Sequence, residues 1–390
     1  MFKRCRPLCQ QVSGVEQAHA DPMAVAVVTG AAGLVGAETV RHFAQEGFDV
    51  VGLDNDMRSG FFGPAASTAA QAQLLRRTVK NYRHVTVDVR NEAAVARLLA
   101  HYGHAVSVLI HTAAQPSHDW AAGNPVVDFD INARSTLTLL EAFRAHCPGA
   151  VFIYTSTNKV YGDQPNHLPL VEQKTRWEIE PQHPYSAHGI DESMSTDRSL
   201  HSLFGVSKLA ADLVVQEYGR YFGLKTVCLR AGCLTGPGHA AVELHGFLAY
   251  LVKCAARNVK YTIYGHKGKQ VRDNVHACDI ATAFSYIVQT PPSPGEVYNI
   301  GGGRDASCSI VEAIELCTRL FGRPPTVEYE AQPRKGDHIW WISDTRRFRT
   351  HYPGWRVTRT ISDVIAEISD SLGSPNEFPA AALQPEPPQR

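Results

Sequence analysis

The sequence predicts an α/β fold, a Rossmann-type doubly wound parallel sheet with a smaller C-terminal α/β lobe that would bind substrate. Three observations predict it. Short apolar runs without polar alternation recur along the first 235 residues. Segments with helical spacing separate most of them. The first run leads straight into three glycines spaced by three at the start of a helix. Strands buried on both faces, joined by helical crossovers, form a parallel sheet covered on both sides.

In chain order, "AVAVVTG" (24–30) reads as the first strand, and "LVGAETVRHFAQEG" (34–47) as a helix with a glycine stop. "DVVGLD" (49–54) is the second strand. Further strands are expected at 85–89, 107–114, 150–156 and 225–232, with helices at 91–101, 126–146 and 204–222. A polar, proline-bearing connection of little periodicity fills 163–203, and loops of that length are usually functional or disordered. Beyond 235 the pattern loosens. Helices are expected near 244–257, 276–290, 309–321 and 358–371, with strands at 261–265 and 296–302. We divide the chain into a nucleotide-binding domain at 23–235 and a substrate lobe at 236–372, with part of 260–303 packing back on the first domain. Residues 1–22 form an extension expected to be disordered, where Met1 or Met23 is the start, and 373–390 a proline-rich tail.

Composition narrows the function classes. Thirty-eight basic and 38 acidic residues cancel, so nothing suggests a nucleic-acid stripe. No run of about 18 apolar residues suggests a membrane span. Nine scattered cysteines read as reduced thiols, which points to the cytoplasm. Cys5 and Cys9 have no second pair to complete a zinc site, and no histidine spacing suggests a metal centre.

The glycine turn carries the first functional signal. Gly30 allows the tight turn, Gly33 lets backbone approach a pyrophosphate, and Gly36 lets helix pack on strand. Asp54 ends the second strand, where a carboxylate accepts ribose hydroxyls and repels a 2′-phosphate. This favours NAD over NADP, with Arg58 nearby weakening the preference slightly.

Several further segments follow in order: "TVDVRN" (86–91), "HTAAQ" (111–115), "NARSTLTLLEA" (132–142), "YTSTNKVYGD" (154–163), "GKQVRDNVHACDI" (268–280), "YNIGGG" (298–303) and "PRKGD" (333–337). Together they resemble the extended short-chain dehydrogenase/reductase family that modifies nucleotide-activated sugars, over roughly 24–370. Within it, "STNKVYGD", "TRW" and "HSLFGVSKLAAD" are most similar to the CDP-paratose (CDP-tyvelose) 2-epimerase branch. The ending "WRVTRTISD" (355–363) is similar to the UDP-galactose 4-epimerases.

The resemblance implies bound, recycled NAD and a CDP- or UDP-linked sugar oxidised transiently to a ketone. It gives Thr157 the family's catalytic Ser/Thr position, with Ser156 as neighbour, and Lys208 the nicotinamide ribose. Asp88, Val89 and Ala113 fall in its cofactor segments, and Gln115 resembles its loop beside the adenosine and ribose. Asn132 would orient the active-site helix or main chain. Asn158, Arg272 and Arg334 fall to substrate, the two arginines holding a diphosphate, which suits a guanidinium fork. Members of the family are often dimers through a helix pair, which 91–101 and 126–146 or 204–222 would supply in a homodimer.

One position departs from the family. Phe204 stands where a Tyr-x-x-x-Lys pair has its tyrosine, and phenylalanine neither ionises nor donates. Either another group handles the proton, with His201, Tyr161, Tyr185, Glu192 or Lys208 through a water as candidates, or the chemistry is a different step such as dehydration or 4-epimerisation, or the chain binds NAD and sugar nucleotide without turnover. We expect the substitute in the 163–203 connection.

Overall fold

The structure, a computed structural model, describes residues 24–243 and 245–373. The extension at 1–22, the choice between Met1 and Met23, the Cys5/Cys9 pair and the tail beyond Gly373 lie outside the described residues.

Seven parallel strands make the main sheet. They are β1 (Val25–Thr29), β2 (Asp49–Leu53), β3 (Tyr82–Val85), β4 (Val106–His111), β5 (Val151–Thr157), β6 (Lys225–Ala231) and β7 (Glu296–Ile300). Their spatial order is β7-β6-β5-β4-β1-β2-β3. The chain runs outward from β1 to β3, then returns to β4 on the other side. That reversal opens a crevice at the carboxyl ends of β1 and β4.

Side chains alternate across each strand, so one sheet feeds two cores. Ala26, Val28, Ile110 and Ile153 face α1 (Leu34–Gln45) and a later helix, Ala277–Gln289. Val27, Val51, Leu109 and Phe152 face the opposite layer. That layer holds α2 (Glu92–Tyr102), α3 (Ser135–His146) and α4 (Leu203–Phe222).

Three local features differ from the expected pattern. The third strand ends at Val85 rather than beginning there. Asp88 grips Arg90 through backbone and side chain, and that turn holds Val87–Val89 out of the sheet. The helix expected at 126–146 contains a π-helical turn, Asp130–Arg134. The 163–203 connection carries a short antiparallel pair, Leu170–Glu172 with Trp177–Ile179.

The smaller lobe has its own core, built from helices Phe247–Arg257, Ile310–Phe321 and Ile361–Ser371. Between lobe and sheet runs the strand Val271–His276. It pairs with Cys233–Thr235 and Trp340–Trp341 in parallel and with Ser307–Ser309 antiparallel. This strand carries Arg272 to the crevice. Among the described residues no helix is long and apolar enough to cross a membrane.

Candidate active site

A cleft of about 460 Å³ runs from the glycine turn to the smaller lobe. Its first wall is mostly backbone. Gly30 sits at φ +64° and faces Ala113, whose amide nitrogen a Cβ there would meet at 2.8 Å. Gly36 is held closer still, since a Cβ would lie 2.1 Å from the Gly30 carbonyl oxygen. The first turn of α1 has no capping side chain and no acidic residue, so its amides face the cleft unpaired. Asp54 accepts the amides of Ala32 at 3.0 Å and Asp56 at 2.9 Å. Asp88, Val89 and Ala113 line the same wall. A glycine cradle with free helix amides and a carboxylate at the end of β2 fits a dinucleotide. Arg58 turns from Asp54 toward the other lobe, donating to the Ala240 carbonyl at 2.9 Å.

The second wall is side-chain chemistry. Thr157 ends β5 in the cleft, its hydroxyl donating to Asn158 Oδ1 at 3.4 Å and accepting the Lys159 amide at 3.3 Å. Phe204 and Lys208 lie one helical turn apart on α4, both buried and both lining the cleft. The Lys208 ammonium donates to the Thr155 carbonyl at 2.8 Å and lies 4.2 Å from the centre of the Tyr154 ring. Burial pushes its pKa down to about 8.

The third wall belongs to the smaller lobe. Arg272 donates to Asp337 at 2.5 Å and to its neighbour's carbonyl. Arg334 donates to the Glu243 carbonyl at 2.8 Å and stacks over Tyr264. Lys159 reaches across to the Gly336 carbonyl at 3.0 Å, with Asp337 3.9 Å away. Burial pushes Lys159 down to about 8. Burial opposes ionisation of Asp337, yet Arg272 and Lys159 hold it below the usual carboxylate range. The 333–337 loop thus roofs the cleft through contacts to three distant segments.

Not every expected residue meets there. Ser156 borders the cleft, but its hydroxyl is turned into the core, donating to Asp212 at 2.5 Å within the buried Asp212–Arg230 pair. His201 is corrected as a proton-handling group: it does not line the cleft, and its Nε2 faces the Val160 carbonyl at 2.8 Å. Tyr161 is spent on Asn299 and Arg230, and Glu192 on the Asn299 amide. Tyr185 lies beside Ser193. None of residues 163–203 lines the cleft, so the expected home of the substitute is also corrected. The loop is pinned instead to the outer face of the small sheet, where Trp177 donates its amide to Lys269 and Arg176 pairs with Glu312.

Gln115 and Asn132 brace the cleft from behind. Asn132 accepts the Gln115 amide and donates to the Gln115 carbonyl, Asp128 and Ser207, at 3.0–3.1 Å. Sequence reasoning missed His118, Lys159 and Gly336. The one signal was position: His118 follows a strand end at a crevice, and Lys159 sits inside a quoted motif. Among the described residues no cluster of three or more His, Cys, Asp or Glu side chains could hold a metal.

Comparison with known proteins agrees with this architecture. The family profile described as GDP-mannose 4,6 dehydratase matches residues 27–368. The CDP-paratose 2-epimerase of Salmonella typhi is 33% identical over 296 residues, 74% of this chain and 82% of that one. The dTDP-glucose 4,6-dehydratase 1 of Escherichia coli K12 is 29% identical over 311 residues, 75% and 76% of the two chains. Among solved structures, the UDP-glucose 4-epimerase of Bifidobacterium longum with NAD⁺ and UDP superposes at a TM-score of 0.72 and 23% identity, covering 91% of this chain and all of that one. The profile and the Salmonella relative each span most of the chain, so the protein belongs to the GDP-mannose 4,6-dehydratase-like branch of the extended short-chain dehydrogenase/reductases, a family of NAD-dependent nucleotide-sugar epimerases and dehydratases.

Proposed function

We propose that the protein is an NAD-dependent epimerase of a nucleotide-activated sugar, CDP-paratose 2-epimerase-like, working through a transient keto-sugar. The observation that carries this is one cleft joining a dinucleotide cradle to Thr157, Lys208 and two diphosphate-suited arginines. The 33% identity to a CDP-paratose 2-epimerase supports the sugar class.

Bound NAD supplies the hydride acceptor and returns the hydride. The chain does the rest. Gly30, Gly33 and Gly36 leave room for the pyrophosphate, with Asp54 at the adenosine ribose and Asp88, Val89 and Ala113 beside them. Lys208 holds the nicotinamide ribose. Thr157 hydrogen-bonds the reacting oxygen, accepting from it as hydroxyl while its own O–H points to Asn158 Oδ1, then turning that O–H from Asn158 to the ketone oxygen. Arg272 and Arg334 grip the diphosphate, and the roof keeps water from the ketone.

A second reading draws on Phe204: a chain that binds NAD and sugar nucleotide without turnover. Purification and NMR decide between them. The epimerase carries tightly bound NAD and interconverts two epimers of a CDP-, UDP- or GDP-sugar with no NADH release. Stoichiometric NADH, or loss of water from the sugar, would replace epimerisation with net oxidation or dehydration. Exposed Val126, Phe129 and Leu137 lie beside exposed Leu203, Val206 and Leu213 on neighbouring helices, which supports a homodimer through that face. Light scattering at twice the chain mass is the expected result.

A further inference from the structure

The cleft holds a histidine ring with a free nitrogen beside the phenylalanine that replaces the phenol. His118 opens the short helix His118–Gly123. Its ring meets that of Phe204 edge to face, with centroids 5.1 Å apart. Its Nδ1 lies 2.6 Å from the Ser202 hydroxyl, and that oxygen also caps α4 by accepting the Gly205 amide at 3.1 Å. A hydroxyl oxygen has two lone pairs, so Ser202 can take both N–H groups and leave Nε2 unprotonated. Among the described residues no hydrogen bond reaches Nε2. Gly336 packs against the same edge: at φ +77° a Cβ there would sit 2.5 Å from Nδ1 and 3.2 Å from the Ser202 Cβ. The ring is therefore clamped between α4 and the roof, inside the cleft.

The other groups near Phe204 are ammonium ions, which accept no proton. Lys159 gives its ammonium to Gly336 and Asp337, and Lys208 gives its own to Thr155. His201 is outside the cleft.

We propose that His118 replaces the missing tyrosine, Nε2 taking the proton of the sugar hydroxyl during oxidation and giving it back during reduction. This rests on the epimerase reading above. The O–H bond breaks and an N–H bond forms at Nε2, giving an imidazolium. The C–H electron pair leaves with the hydride to NAD. Reversal restores the alcohol and the neutral ring.

Burial and the charges around it set the ring's protonation. Burial, then Lys159, push the free imidazole down to about 3, with Arg272 and Arg334 adding to this and Asp337 opposing it. His245 also faces it. The ring is thus neutral at neutral pH in the substrate-free cleft, where it is a weak base. A diphosphate held between Arg272 and Arg334 would offset their share of that depression and move the ring toward the range a base needs, while the share from burial stays.

The test uses the NAD-loaded full chain, H118Q, F204Y and the double variant, with CDP-glucose and UDP-glucose as binding probes. Bound probe should shield His118 from diethylpyrocarbonate, read by peptide mass spectrometry. H118Q should lower turnover of the epimerised sugar by about 10²–10⁴-fold with NAD content unchanged. Adding F204Y to H118Q should restore turnover, which a merely structural role for His118 would not allow. If wild type turns over and H118Q matches it, or His118 stays reactive with probe bound, this inference falls and the epimerase reading stands. A wild type that binds probe without turning over any sugar sinks both. Failure of both probes to bind removes the CDP- or UDP-sugar reading and His118's role with it.

Discussion

The two ends of the cleft are built on different principles. At the cofactor end the wall is backbone: three glycines, one carboxylate and the first turn of α1, all within 25 consecutive residues (30–54). At the sugar end the wall is ion pairs and side chains from segments near 118, 159, 204, 272 and 336. A backbone wall tolerates no added atom. A side-chain wall tolerates exchange as long as some neighbour restores the chemistry. That contrast explains how a phenylalanine can stand at position 204 while the glycine turn keeps the family spacing.

Breaking the first wall should cost most. G36V puts a Cβ 2.1 Å from the Gly30 carbonyl oxygen, where only backbone could yield. We expect no NAD in the purified variant and a loss of about 1–3 kcal/mol or more from overpacking, checked by absorbance of released cofactor and by urea titration. The second wall should fail separately. R272M should raise KM for the nucleotide sugar roughly 10- to 100-fold, the worth of a charge-assisted contact, with NAD content intact. Equal loss of both ligands would show that the two ends are one unit.

The smallest effect is electrostatic. Lys159 has a folded pKa of about 8 against 10.5 unfolded. Between those values the unfolded chain binds more protons, so the buried-charge cost fades and stability rises with pH. Below pH 8 both states are protonated and the cost is constant. The cofactor-free K159M variant should lack this lysine's share of the rise. The difference between wild type and variant in thermal unfolding at pH 8 and pH 10 isolates it.

The same contrast governs what was legible in the sequence. The glycine turn with Asp54, the segment around Thr157 and the Phe204-to-Lys208 spacing are each local patterns, and local patterns survive in one dimension. β1, β2 and β4 were readable because their apolar runs lack alternation. β3 was misplaced because "VTVDV" has strand composition while the Asp88–Arg90 grip holds it out of the sheet. His118 was invisible because its meaning depends on Ser202, Phe204 and Gly336, which lie 84 or more residues away. The 163–203 connection misled in the opposite sense. Its polar residues suggested the base itself, yet they brace the site, Ser202 on His118 and Asn166 on the roof, or pair elsewhere, as Arg176 does with Glu312.

The roof over the sugar end bears on timing. Gly336 is tied to Lys159, Asp337 to Arg272 and Asn166, and Arg334 to Glu243. A reaction that oxidises and then reduces the same molecule has one costly failure, escape of the half-finished ketone, which strands the enzyme with spent cofactor. On the epimerase proposal, a cover held at several points by charged and carbonyl partners would oppose that departure while the hydride returns. The opening rate of that cover relative to hydride return would then set how many turnovers one loaded enzyme completes before it must be rescued.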